Sequence, residues 1–117
     1  MKKILIVDDN QDFLLNMKNY IKKLGYDIAV TTSCKEALGI LTSFVPDLIF
    51  MDVNVGNEDG REMCRSIKAL AIYQHIPVIL ISANHEYAAS YEMCGANLFV
   101  SKPFSLSILP GIIKNYM

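Results

Sequence analysis

The chain has 117 residues, enough for one domain built around one hydrophobic core. Hydrophobic residues make up 52% of it, which excludes a disordered chain, and its net charge of -1 argues against a dedicated nucleic-acid or membrane-surface binder. Its 3 cysteines form no C-x-x-C pair, which indicates reduced thiols in the cytoplasm rather than disulfides or a metal site.

Strands and helices are predicted to alternate along the chain. Short runs rich in Ile, Val and Leu predict strands at 3–7, 27–31, 48–51, 78–81 and 97–100. Between them, apolar side chains at helical spacing and N-terminal capping residues predict helices over 11–24, from Ser33 to before Pro46, from Asp59 onward and, more weakly, over 86–93.

The last segment is predicted to form a shortened, kinked or late-starting helix. Pro110 and Gly111 fall where the interior of this helix should be. Proline there removes an amide donor and clashes with the preceding turn, at a cost of about 3 kcal/mol.

The alternation predicts one α/β domain spanning residues 1–117. Its sheet should be parallel, with right-handed crossovers and helices on both faces. No apolar run is long enough to span a bilayer.

Polar residues stand at the ends of four predicted strands. The first strand ends at Asp8 and Asp9, the third at Asp52 and the fourth at Ser82, while the fifth leads into Lys102. Because the carboxyl ends of parallel strands share one edge of a sheet, we expect these side chains to lie together.

Such a cluster has a chemical consequence. Carboxylates about 4 Å apart repel each other by roughly 4 kcal/mol at an effective dielectric constant near 20, so one of them protonates or the cluster binds a cation. Mg²⁺ suits hard oxygen ligands at an open site. With Lys102 as counter-charge and the Ser82 hydroxyl as donor, Asp52 is predicted to be a nucleophile that accepts a phosphoryl group.

Over essentially its whole length the chain resembles the receiver domain of two-component response regulators. The residues that carry the resemblance are Ile6-Val7-Asp8-Asp9, Asp52, Asp59-Gly60 at the family's spacing from Asp52, Ser82-Ala83 and Lys102-Pro103-Phe104. The resemblance implies a flavodoxin-like, doubly wound sheet of five parallel strands in the order 2-1-3-4-5, with helices on both faces.

The resemblance also implies roles for individual residues. Asp52 would accept a phosphoryl group from the phosphohistidine of a sensor histidine kinase or a histidine phosphotransfer domain, and Lys102 would pair with that group. Mg²⁺ would be held by Asp9, by Asp8 mainly through water, by Asp52 and by the backbone carbonyl of Asn54. Ser82 and Phe99 would form a switch pair, and the Lys102–Pro103 peptide bond would be cis.

A domain of this kind would be a signalling module and not an enzyme. At most it would catalyse its own phosphorylation and dephosphorylation. It would switch the surface near the fourth strand, fourth helix and fifth strand, and act on a downstream output protein or a C-terminal effector domain. We expect no direct nucleic-acid or membrane contact, and a homodimer is left open.

Three departures from the family's pattern stand out. Gly56 replaces the usual proline and should loosen its loop, and Glu58 replaces an apolar residue and adds negative charge near the site. Pro110-Gly111 falls on the final helix, which often forms the family's output and dimer surface.

Other interpretations remain open from the sequence. A Mg²⁺-dependent phosphohydrolase with an aspartyl-phosphate intermediate would use Asp-x-Asp, whereas Asn54 occupies the second position. A mononucleotide binder would need a glycine-rich loop after the first strand, and this chain has none there. A phosphorylation-independent docking module would not need the acidic pair. Asp8 and Asp9 could cap the first helix, and Phe99 could be an ordinary core aromatic.

Overall fold

Short apolar runs form the strands of the protein. In the computed structural model, which describes residues 2–117, the strands are β1 (Lys3–Val7), β2 (Asp27–Thr31), β3 (Leu48–Asp52), β4 (Asn54–Val55), β5 (Glu58–Asp59), β6 (Val78–Ser82) and β7 (Leu98–Ser101). Five of them form one sheet in the order β2-β1-β3-β6-β7, and every neighbouring pair is parallel. Because β4 and β5 form a separate antiparallel hairpin, this order confirms the predicted 2-1-3-4-5 topology.

The helices cover both faces of the sheet, as predicted. They are α1 (Gln11–Lys23), α2 (Cys34–Phe44), α3 (Gly60–Ala69) and α4 (Leu109–Tyr116). One hydrophobic cluster joins side chains of α2 and α3 to one sheet face, and the other joins those of α1 and α4 to the opposite face. In β3, Leu48 and Phe50 belong to the second cluster, whereas Ile49 and Met51 belong to the first, which explains why its apolar run is continuous.

The segment predicted as a weak helix over 86–93 does not form an α-helix. Two 3-10 helices replace it, at His85–Ala89 and Tyr91–Cys94, and Ser90 leaves the helical region between them (φ -131°, ψ 9°). Cys94 is the one buried residue in the two turns. Since most helical stability in proteins comes from packing an apolar face, so little burial does not sustain a continuous helix.

The final helix starts late, as predicted. A 3-10 turn at Leu106–Ile108 precedes α4, and Pro110 falls in the first turn of α4. The amide of a residue in the first turn has no partner within the helix, so proline is tolerated there. Leu109 and Ile113 then pack into the core.

The three cysteines carry free thiols, as the sequence predicts. All 3 cysteines are buried. Burial, reinforced by the neighbouring acidic charges, raises the pKa of Cys34 to about 11. Burial, reinforced by the Cys94 thiol, raises the pKa of Cys64 to about 12.

Within residues 2–117, no helix combines the length and the apolar character needed to cross a membrane.

Candidate functional site: an acidic pocket at the carboxyl edge of the sheet

The carboxyl ends of the adjacent strands β1 and β3 bring three carboxylates together. Asp8 directly follows β1, Asp9 is next to it, and Asp52 is the last residue of β3. One carboxylate oxygen from each lies within 4.8 Å of the others. Asp8 and Asp52 are 1% and 7% exposed, whereas Asp9 is exposed to solvent. The cluster therefore has a buried floor and one open side.

Lys102 supplies the positive charge of this pocket. Its Nζ atom donates to Asp8 Oδ2 at 2.7 Å and to Asp52 Oδ2 at 3.4 Å. The Lys102 amide N–H donates to the Ser82 carbonyl oxygen at 2.9 Å, and the Lys102–Pro103 peptide bond is cis, as expected. The chain after β7 is thereby turned so that the lysine reaches across β6 to the carboxylates of β1 and β3.

Burial dominates the electrostatics of Asp52. It raises the pKa of the Asp52 carboxyl from 3.8 to about 6, with a further contribution from the charge of Asp8. Lys102 and the Asn54 N–H, which donates to Asp52 Oδ1 at 3.3 Å, lower this pKa without cancelling the other two effects. The pocket holds more negative charge than its one lysine balances.

The first helix is capped without using the acidic pair. Asn10 is the N-cap residue of α1, and its Oδ1 atom accepts the N–H of Phe13 at 3.0 Å. Asp8 Oδ1 accepts the N–H of Asn10 at 2.9 Å, and Asp9 faces the β4–β5 hairpin instead. Helix capping therefore does not account for the two adjacent aspartates.

Gly56 and Glu58 have structural roles that the sequence did not reveal. Gly56 is the first of the two turn residues of the β4–β5 hairpin, at φ +61°, and its N–H donates to Asp9 Oδ2 at 3.2 Å. Proline at this position has no N–H to donate and a φ fixed near -65°. Glu58 Oε1 accepts the N–H of Cys34, the first residue of α2, at 2.9 Å, so its carboxylate faces a helix N-terminus rather than the acidic pocket.

Gly60 explains the Asp-Gly pair that opens α3. A Cβ atom at this position would overlap the carbonyl oxygen of Asp52 and lie 2.9 Å from Met51 Cγ. The Gly60 N–H donates to the Val53 carbonyl oxygen at 2.7 Å, which holds the start of α3 against the end of β3. A residue without a side chain is needed here so that the helix can approach the backbone of Asp52 closely.

Ser82, Asn54 and Phe99 surround this centre. Ser82 is buried at the end of β6, next to β3, and its Oγ atom accepts the N–H of Asn84 at 3.0 Å. Asn54 is exposed two residues after Asp52. Phe99 is half-buried in β7 and packs against the cluster on the α2 and α3 face.

Phe13 is a residue of the pocket that the sequence analysis did not single out. The Lys102 Nζ atom lies 4.1 Å from the centroid of its ring, a cation–π contact. Phe13 lies in the first turn of α1, four residues after Asp9. That position was the available signal, because a helix starting at Gln11 keeps its first turn at the carboxyl edge.

The donor set of the pocket fits a magnesium ion. Carboxylate oxygens are the hard ligands that this ion prefers, and the exposed side at Asp9 leaves room for the waters that it retains. Asp8, Asp9 and Asp52 are the residues that would hold it.

Comparisons of the sequence with known proteins point to one family. The sequence model of the response regulator receiver domain matches residues 4–114. The chain is 33% identical over 121 residues to the polar-differentiation response regulator DivK of Brucella ovis, with 99% of this chain and 96% of DivK covered. It is 31% identical over 118 residues to the transcriptional regulatory protein YxdJ of Bacillus subtilis, with 98% of this chain covered but only 50% of YxdJ, so it spans about half the length of that relative.

Solved structures share the fold. The chemotaxis protein CheY4 of Vibrio cholerae superposes with a TM-score of 0.91 at 23% identity, with 100% of this chain and 99% of CheY4 covered. At that identity the similarity concerns the fold alone.

Proposed function

We propose, on the premise that this chain belongs to the response regulator receiver domain family, that Asp52 accepts a phosphoryl group in a Mg²⁺-dependent reaction. The observation that carries the proposal is the placement of Lys102, whose ammonium group reaches both Asp8 and Asp52 in a pocket of three carboxylates. The proposed donor is the phosphohistidine of a sensor histidine kinase or a histidine phosphotransfer domain.

In the proposed reaction an Asp52 carboxylate oxygen attacks phosphorus. An O–P bond forms, the P–N bond to the donor imidazole breaks, and the imidazole leaves with the electron pair and takes up a proton. Lys102 pairs with the phosphoryl oxygens, a charge-assisted contact that strengthens as they approach Asp52. Asp8, Asp9, Asp52 and the Asn54 carbonyl would hold Mg²⁺, which supplies positive charge for the transferring oxygens when bound.

The protonation state of Asp52 supports a role for a cation. A carboxylate must be ionised to attack, and burial and the charge of Asp8, which raise the pKa of Asp52 to about 6, make the ionised form costly in free energy. A cation held by the same three side chains would offset both causes and favour the ionised nucleophile. In this proposal, binding a cation would therefore prepare Asp52 for the reaction.

A route from Asp52 to the surface follows the segment after β6. Ser82 Oγ accepts the Asn84 N–H, and the Asn84 side chain in turn caps the first 3-10 helix by accepting the Glu86 N–H at 3.0 Å. A Ser82 hydroxyl that turned toward a phosphoryl group would release Asn84 and so disturb residues 85–94. Phe99 packs on the same sheet face as Tyr87 and Tyr91 of that segment, which fits its proposed part in the switch.

The wider setting completes the proposal. Residues 1–117 would act as a single receiver domain in the cytoplasm and as a signalling module rather than an enzyme. Its partners would be the phosphohistidine donor and a downstream output protein or an effector domain, and it would have no nucleic-acid or membrane contact of its own. Because the chain covers half of YxdJ but nearly all of DivK, both a stand-alone domain and a part of a longer regulator have relatives.

The test is phosphorylation by a small acyl phosphate with and without Mg²⁺. The wild type should gain one phosphoryl group, stable in acid and labile in base, and chelation of the metal should prevent this gain. Asp52→Asn should not be labelled. Asp47→Asn is the matched control, because Asp47 lies just before the opposite end of β3, where it accepts the Lys3 N–H at 2.8 Å, and it should be labelled like the wild type. Equal labelling of Asp52→Asn would refute the assignment.

A further inference from the structure

The lysine of the acidic pocket lies against one ring of an aromatic pair. The ring of Phe13, from the first turn of α1, has the Lys102 Nζ atom 4.1 Å from its centroid. The ring of Phe104, two residues after Lys102, meets Phe13 edge to face with centroids 5.9 Å apart and planes at 81°. The face of the Phe13 ring therefore contacts the Lys102 ammonium. The same ring also packs against Phe104, which lies just beyond Lys102 in the chain.

Lys102 is the most flexible of the charged groups in the pocket. Its ammonium group stands on a stem of four carbons, whereas the aspartates have short side chains at strand ends. Among residues 2–117, the ammonium donates to Asp8 at 2.7 Å and to Asp52 at 3.4 Å, and it makes a cation–π contact with the Phe13 ring. Only the ring is uncharged.

This difference matters once a cation occupies the pocket. A cation held by Asp8 and Asp52 would compete with the ammonium for their negative charge and would weaken their hold on it. The attraction of the ammonium to the negative face of an aromatic ring needs no carboxylate and is not subject to that competition. Phe13 can thus keep Lys102 facing Asp52 when the carboxylates no longer do so.

We propose that Phe13 is a positioning residue for phosphoryl transfer, which holds the Lys102 ammonium beside Asp52 through its ring face. The inference rests on the proposed function of Asp52. Phe13 itself contacts neither Asp52 nor the incoming group in this account and acts through Lys102.

The test replaces the ring while keeping apolar bulk. Phe13→Leu and Phe13→Met remove the aromatic face, whereas Phe13→Tyr retains it. Phe44→Leu is the matched control, since Phe44 is a half-buried phenylalanine with Lys3 Nζ 5.6 Å from its ring centroid, at the far end of α2 from the pocket. Asp52→Asn reports on the proposed function separately.

Two readouts are needed. The first is the initial rate of labelling by a small acyl phosphate at saturating Mg²⁺, which should fall about three- to tenfold in the Leu and Met variants, the size expected for losing one partly buried cation–π contact. The Tyr variant and Phe44→Leu should stay within about twofold of the wild type, because each keeps a ring beside Lys102. The second is the NMR shift of the Lys102 methylene protons next to Nζ in the metal-free protein. These protons should lie upfield in the wild type and the Tyr variant and move downfield in the Leu and Met variants.

The outcomes separate the two proposals. Absence of labelling in the wild type would refute the proposed function, whatever the Phe13 variants do. Wild-type rates in the Leu and Met variants, with Asp52→Asn inactive, would overturn only the role of Phe13. A rate that falls equally in the Tyr variant, or a Lys102 resonance that is the same in all Phe13 variants, would show that Phe13 acts through packing alone and would also overturn it.

Discussion

Replacing Asp52 by asparagine should stabilise the metal-free protein at neutral pH. The folded state holds the pKa of Asp52 at about 6, above the value of 3.8 for an unperturbed aspartate, because the carboxyl is buried and lies beside Asp8. The folded protein therefore binds more protons than the unfolded chain between these two values, and stability decreases as the pH rises through that window. Asparagine is uncharged at every pH and avoids this cost.

The magnitude follows from the size of the shift. A difference of about two pKa units, at 1.36 kcal/mol each, gives an upper bound near 3 kcal/mol at pH 7. This bound already includes the attraction of Lys102, which lies 3.4 Å from Asp52 and keeps its 2.7 Å contact with Asp8 after the substitution. We expect a smaller gain of about 1–2 kcal/mol, because the asparagine NH₂ group is a buried donor that must find an acceptor in the pocket. The amide oxygen of asparagine can still accept the Asn54 N–H.

The assay is chemical denaturation of wild type and Asp52→Asn at pH 7 and pH 4, with and without Mg²⁺. The gain should be largest at pH 7 and much smaller at pH 4, where the carboxyl is protonated in the folded protein and in roughly 40% of the unfolded chains. Magnesium at ten times its dissociation constant should stabilise the wild type by about 1.4 kcal/mol and the variant by less, which narrows the gap. Asp47→Asn, outside the pocket, should show no such gain at pH 7, and Mg²⁺ should stabilise it as much as the wild type. If Asp52→Asn is less stable than the wild type at pH 7 without metal, the electrostatic reasoning for the pocket is wrong.

Three further substitutions test the structural roles of Gly60 and Glu58, with Gly39 as a control. Gly60→Ala should destabilise the fold by about 3 kcal/mol or more and reduce labelling of Asp52, since a Cβ would overlap the Asp52 carbonyl oxygen. Gly39 lies in α2, and a Cβ atom there would have nothing within 4 Å. Gly39→Ala should therefore stabilise the fold by about 0.5–1 kcal/mol in the same denaturation assay. A loss of stability in Gly39→Ala as large as in Gly60→Ala would contradict the steric argument. Glu58→Gln should cost about 0.5 kcal/mol by weakening the contact with the Cys34 N–H at the start of α2, and a full loss of labelling would contradict this structural role.

The sheet and the position of its acidic edge were predictable because both follow from simple rules. A continuous apolar run such as Leu48–Met51 is stable only where both faces are covered, so it fixes a central parallel strand. Once the strands are parallel, their carboxyl ends share one edge, and Asp8, Asp52 and Lys102 must approach one another. No side-chain detail was needed for that inference.

The parts that were missed depend on details that spacing does not encode. The contact of Phe13 with Lys102 depends on how α1 is rotated about its axis and on the rotamers of two side chains. Glu58 was expected to add charge near the site, but the turn at Gly56 directs it to α2. Residues 85–94 keep helix-like spacing, yet they bury too little surface for a continuous helix.

The charges of the pocket explain why these details matter to the proposed reaction. Three ionised carboxylates against one ammonium leave the pocket two charges negative, an arrangement that should repel a phosphoryl donor. A divalent cation would balance that excess and leave Lys102 free to meet the incoming oxygens, provided that the lysine stays in place when its carboxylate partners turn to the cation. The contact of the ammonium group with the uncharged ring face of Phe13 does not depend on the carboxylates, so this exchange of partners leaves it unchanged. In the proposed reaction, the electrostatics that would recruit the cation therefore also give Phe13 its role as a positioning residue.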